Sequence, residues 1–117
     1  MTRVGGRFFC GPPLPDLFPL GRLSMTPTVS YLLDDATLHT VLGWHAAGQW
    51  CNQEMLSEDD QEVNERVLAD RQDGGPRGEL LSKYRVMSRT GKAAEVYVIT
   101  ILAAEETYSV VCLPDER

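Results

Sequence analysis

Two histidines, His39 and His45, and three cysteines, Cys10, Cys51 and Cys112, are the side chains best suited to metal binding or nucleophilic chemistry. His39, His45 and Cys51 follow one another at intervals of six, whereas residues that meet on one helix face lie three or four apart. Asp35 and His39 have the shorter spacing, but no HExxH, CxxC or third nearby ligand completes a site. A cysteine–histidine nucleophile would need Cys51 or Cys112 to meet His39 or His45 in space, which the spacing does not require. No GxSxG elbow presents a serine. The run Asp73-Gly74-Gly75-Pro76-Arg77-Gly78 follows a helical pattern and precedes an extended one. Phosphate loops run the other way, from a strand into a helix N-terminus. It reads as a connector. Neither a metal nor a cofactor is expected.

Charge is the more informative signal. The chain carries a net charge of −6, and it is unevenly spread. Between Glu54 and Asp73 stand eight acidic residues against Arg66 and Arg71. Between Arg77 and Lys92 the balance reverses, with Arg77, Lys83, Arg85, Arg89 and Lys92 against Glu79. Charge runs ordinarily solvate a surface and protect strand edges. Read functionally, the acidic run is a docking face for a basic partner. Glu58, Glu62, Glu65 and Asp73 lie near one side of a helix there, flanked by Asp59 and Asp70. Such a row of carboxylates can imitate a phosphate backbone. The basic residues Lys83, Arg85, Arg89 and Lys92, with Tyr84 among them, form the weaker alternative, a nucleic-acid face on the first long strand. The overall negative charge opposes phosphate.

These residues need elements to hold them. Asp34 or Asp35 suits the N-cap of a helix reaching about Asn52, with Leu38, Val41, Leu42 and His45 on one face. Gly43, Ala46, Ala47 and Gly48 make a small-residue patch for close approach of another element, edged by Trp44 and Trp50. Ser57 opens a second helix, with Asp60 three positions on in the manner of a capping box, and Val63, Val67 and Leu68 as its apolar stripe. From Glu79 the period becomes two: Leu80, Tyr84 and Val86 alternate with Lys83 and Arg85. Arg89–Lys92 is a turn. Val96–Leu102, apolar on both faces, is the central strand. Glu105 and Glu106 turn the chain into a last strand over Thr107–Leu113, ended by Pro114. The expected fold is α+β, two helices followed by a three-stranded antiparallel meander.

At 117 residues, with 43% hydrophobic and 24% charged, the composition is that of one globular domain. An odd number of cysteines at irregular spacing argues for free thiols and a cytoplasmic protein. Residues 1–27 hold five of the seven prolines and read as a flexible leader to a domain over 28–117. Prolines break any signal-peptide core, Met25 could be the natural start, and no apolar run reaches the ~20 residues of a membrane span.

Together these features favour a small acidic cytoplasmic protein that acts by protein–protein binding, as an inhibitor or modulator of the kind found among phage and plasmid accessory proteins. Its partner would have a basic surface. The opposing class is a small enzyme or ligand-binding domain with a pocket between the first helix and the sheet, around Trp44, His45, Trp50 and Tyr97.

Overall fold

The computed structural model describes residues 16–72, 78–103 and 106–117. Their elements run in the order β1 (Arg22–Met25), α1 (Pro27–Leu32), α2 (Asp35–Ala46), α3 (Glu58–Gln72), β2 (Gly78–Met87), β3 (Ala93–Leu102) and β4 (Tyr108–Cys112), closed by a 3-10 turn over Pro114–Glu116. The α+β class stands, but the sheet is four-stranded and mixed, in the order β1-β4-β3-β2. The expected antiparallel meander forms its core, with β3 pairing β2 from Gly78 with Leu102 to Met87 with Ala93 and β4 from Ile101 with Tyr108 to Tyr97 with Cys112. The addition is β1, parallel to β4 with Arg22 opposite Tyr108 and Met25 opposite Val111.

The expected leader is corrected by the same finding. Residues 1–15 lie outside the described residues, but residues 16–27 belong to the domain. Phe18 is buried, Leu17 N–H donates to the Ala46 carbonyl at 2.7 Å, and Arg22 N–H to that of Thr107 at 3.0 Å. Gly21 makes the turn into β1 with φ +69°, and a Cβ there would stand 1.9 Å from the Thr107 carbonyl oxygen. Only glycine fits that approach. Helix α1 was also unforeseen: the Thr26 hydroxyl accepts from Val29 N–H at its start, and Pro27 occupies the first turn.

Helix α2 starts as its sequence indicates, with Asp34 Oδ1 accepting from Thr37 N–H at 2.8 Å. It ends at Ala46 rather than near Asn52, because Gly48 takes a left-handed φ of +80°. Gly43, expected to admit a close neighbour, is exposed and would meet nothing within 4 Å.

Strand parity divides the sheet. On its first face Leu80, Ser82 and Tyr84, Val96, Val98, Thr100 and Leu102, and Ser109 and Val111 are buried. Val29, Val41, Leu42 and His45 of α1 and α2 are buried against this side. On the second face Tyr97, Ile99 and Ile101 of β3 and Tyr108 and Val110 of β4 stay partly exposed. The strand read as apolar on both faces is therefore fully covered on only one.

The outer edge of β2 is closed by side chains as well as backbone. Asn64 donates Nδ2–H to the Leu81 carbonyl at 2.7 Å and accepts Leu81 N–H at 3.1 Å. Asn52 does the same at Arg85, at 2.8 and 3.0 Å. Between them Lys83 N–H donates to the Trp50 carbonyl at 2.9 Å. Alternate residues of the edge are thus each satisfied, which removes a template for strand pairing.

Candidate functional site

Helix α3 is set by contacts at its start and along its inner side. Ser57 Oγ accepts from Asp60 N–H at 3.1 Å, the cap its sequence announces, and Gln61 Nε2–H donates to the Leu56 carbonyl at 3.0 Å. The inward side carries Asn64 and Leu68, both buried, with Val67 against Gly78. Leu68 joins Phe18, Trp50, Cys51, Leu56, Leu80 and Leu102 in one apolar cluster. The expected stripe of Val63, Val67 and Leu68 is only partly right, since Val63 faces outward and is 48% exposed. Asn64 takes the inward position because it meets a strand edge, whose N–H and C=O groups need polar partners rather than apolar cover.

Of the predicted docking residues, Glu58, Asp59, Glu62 and Asp70 are exposed on this helix, together with Asp60. Glu62 holds Arg66 one turn on at 2.8 Å. Glu65 has a structural duty, for its Oε2 accepts the Trp50 indole N–H at 2.8 Å. Asp73 lies outside the described residues. Sequence reasoning missed Val63, an apolar centre among the carboxylates, because it had been assigned inward.

The proposed pocket does not assemble. Trp50 and His45 are fully buried, with Phe18 edge-on to His45 at 5.3 Å between ring centroids and stacked on Trp50 at 6.2 Å. Tyr97 sits on the second sheet face, where the Lys83 ammonium lies 5.2 Å from its ring centre. Trp44 lines a shallow groove of about 360 Å³ with Thr37, Thr40, Asn52, Arg85 and Met87. The Thr40 hydroxyl there donates to the Ala36 carbonyl, and the Asn52 amide is taken by Arg85's backbone.

His45 instead anchors a buried polar chain. Its Nδ1 meets Ser82 Oγ at 2.5 Å and its Nε2 meets Thr100 Oγ1 at 2.8 Å. Thr100 Oγ1 lies 2.6 Å from Ser109 Oγ, which donates to the Leu20 carbonyl at 2.7 Å. That carbonyl accepts only, so each proton upstream is assigned. Ser109 accepts from Thr100, Thr100 accepts from His45 Nε2–H, and Nδ1 accepts from Ser82. Burial pushes the imidazole pKa down to about 3, which keeps it neutral and the chain unbroken. The serine–histidine pair has the geometry of an activated nucleophile, but Ser82 and His45 are both fully buried. Its role is to satisfy polar groups within the core.

The basic residues divide, Lys83 and Arg85 sharing the second face and Arg89 and Lys92 lying apart from them. Arg85 pairs with Glu95 at 2.7 Å on the second face, and Lys83 covers Tyr97. Arg89 turns toward the helices, donating Nε–H to the Leu33 carbonyl at 3.2 Å, while Lys92 is exposed in the turn. They form no single face. Among the described residues no helix is long and apolar enough to cross a membrane.

Comparison with family models, curated proteins and solved structures returned no match.

Proposed function

We propose that this chain acts by binding a protein with a basic surface through α3, as an inhibitor or modulator of that partner. The observation that supports this is the division of labour around the helix. Asn64, Leu68 and Glu65 fix its inner side to β2 and Trp50, while Glu58, Asp59, Glu62 and Asp70 stand exposed around Val63. A helix held in this way loses little freedom when it docks. Carboxylates around an exposed apolar residue match the anatomy of binding sites, in which charge steers and apolar contact anchors.

The test is the triple reversal Asp59→Lys, Glu62→Lys, Asp70→Lys, which spares Glu65 and the first helical residue. Wild-type and variant chains are used to capture partners from the native host, with recovery followed against salt. A partner retained by wild type, lost by the variant and weakened by salt is the expected result. Equal recovery by both, with the variant still melting cooperatively, means that α3 is a solvated face.

A further inference from the structure

We propose that the outer edge of β1 is a self-pairing edge, on which β1 of a second copy of this chain adds antiparallel about a two-fold axis at Ser24. The two edges of the sheet are finished differently. On β2 the outward backbone groups of Leu81 and Arg85 are held by Asn64 and Asn52, and Lys83 N–H by the Trp50 carbonyl. The edge of β1 has no such cover among the described residues. Arg22 N–H and Thr26 N–H donate to the Thr107 and Val111 carbonyls, so alternate residues from Arg22 spend their backbone groups on β4. Leu23 and Met25 therefore point theirs away from the sheet. Neither backbone has a hydrogen-bond partner among the described residues. Arg22, Leu23 and Ser24 are exposed, Leu23 at 39%.

The free groups select their occupant. Outward N–H and C=O groups on alternate residues are met in full by another extended strand. The track is short, because Gly21 turns the chain at one end with φ +69° and Pro27 opens α1 at the other. It offers four residues, Arg22–Met25, and a second β1 is a strand of the same four, turned away at both ends in the same manner. Set antiparallel about Ser24, Leu23 of each copy lies opposite Met25 of the other and exchanges both backbone bonds with it. Two donors and two acceptors from each chain make four bonds, and no outward group is left over. Leu23 meets Met25, apolar against apolar, on the face that Ser109 and Val111 occupy in β4. The two Ser24 side chains meet on the axis. Arg22 falls opposite Thr26 of the other copy, so no like charges face each other.

Charge suits this edge rather than any other. Each chain carries −6, with its acidic run on α3, which is fastened to β2 at the far side of the sheet. In the joined sheet the two β2 strands stand seven strand intervals apart, about 34 Å at about 4.8 Å each. That is roughly three or more Debye lengths at physiological ionic strength, so the repulsion is screened. Arg22 is the one charged residue of β1, and it pairs with Glu106 at 3.4 Å. So short an edge buries less than the ~800 Å² per partner of a standard interface, which sets the dissociation constant at roughly 0.1–1 mM.

Sedimentation and backbone amide exchange of the full chain, from about 10 μM to about 1 mM, test this. Wild type is expected to pass from 13.0 kDa toward twice that mass. Exchange at Leu23 and Met25 should slow ~2- to 5-fold at about 1 mM, as the monomeric share falls. Leu23→Pro removes an outward donor and leaves the bonds to β4 in place. It takes two of the four bonds from the pair and should weaken association ~10-fold or more; Leu23→Ala, which keeps the donor, should weaken it less. A chain that is monomeric at about 1 mM overturns the proposal. So does a dimer that Leu23→Pro leaves intact, or one in which the Leu23 and Met25 amides exchange as in the monomer. If Leu23→Pro fails to fold, exchange in wild type decides alone. Protection of these amides only when a host protein is bound gives the edge to that partner and overturns self-pairing. None of these outcomes depends on α3, whose charge reversal leaves β1 untouched.

Discussion

The indole N–H of Trp50, a residue with no exposed surface, donates to the Glu65 carboxylate at 2.8 Å. One carboxylate of the acidic helix is thus withdrawn from its solvent-facing row and made a fastening for the apolar cluster beneath.

Removing that acceptor should therefore destabilise the domain although Glu65 itself is exposed. Glu65→Ala leaves a buried donor without a partner, at about 1–3 kcal/mol, or roughly 4 °C of Tm per kcal/mol in a domain of this size. Glu65→Gln keeps an amide oxygen in place and should lose less than half as much. Calorimetry of the three proteins checks the order; a Glu65→Ala variant melting with wild type would show that the bond contributes nothing.

His45 makes stability depend on pH. Its folded pKa of about 3 lies below the ordinary histidine value of 6.5, so the unfolded chain binds the proton first. The stabilisation is complete above pH 6.5 and declines as pH falls toward 3, at up to about 1.4 kcal/mol per pH unit. Asp34 and Glu116 also have lowered pKa values, through hydrogen bonds from Thr37 and Thr26 respectively. Their stabilisation is present above the unfolded carboxylate range and fades at lower pH than that of His45. Urea midpoints between pH 7 and pH 5 isolate the histidine, where wild type should weaken and His45→Gln should hold nearly constant. Parallel curves would contradict a buried neutral imidazole.

Asn64 should be among the least replaceable polar residues. Asn64→Ala strips both backbone groups of Leu81, and Asn64→Asp restores an acceptor but sets a carboxylate against the Leu81 carbonyl. Both variants should lose about 2 kcal/mol or more. Both should also aggregate on heating, because the freed edge can pair with another chain. Light scattering through the melt measures this, and a clear, reversible Asn64→Ala melt would refute the edge-closing role.

What the sequence made legible was what is determined locally. Asp34 and Ser57 cap the helices expected of them because a cap acts across three residues. The alternation about Leu80, Tyr84 and Val86 and the run at Val96–Leu102 are strands because period two is a property of the chain itself. Strand β1 was hidden because Arg22–Met25, though it alternates, is only four residues long and is exposed along most of its length. It is a strand only through β4, at the far end of the chain. Helix α1 carried a readable signal in Thr26-Pro27, a cap followed by a proline in the first turn.

The candidate sites divide in the same way. The exposed carboxylates of α3 followed from composition, but Glu65 and Val63 exchanged expected roles once the strand edge supplied its own polar demand. Trp44 and His45 are adjacent on a helix, so their side chains diverge by about 100°. His45 is fully buried, whereas Trp44 packs partly buried at the core's edge against Tyr84. Tyr97 lies between Val96 and Val98, and strand parity sends it through the sheet to the other side.

The parallel pairing of β1 with β4 sets an order on assembly. The segment made early must wait for the one made late: Arg22 has no strand to join until Tyr108 has emerged, and the Leu20 carbonyl no donor until Ser109 arrives. During synthesis the helices and the β2–β3 hairpin can form while β1 remains unpaired. Closing so long a loop costs entropy before any contact repays it. Pairing the beginning of the domain with its end must therefore follow the making of β4, and until then the Leu20 carbonyl and Ser109, at the end of the His45 chain of hydrogen bonds, stay apart.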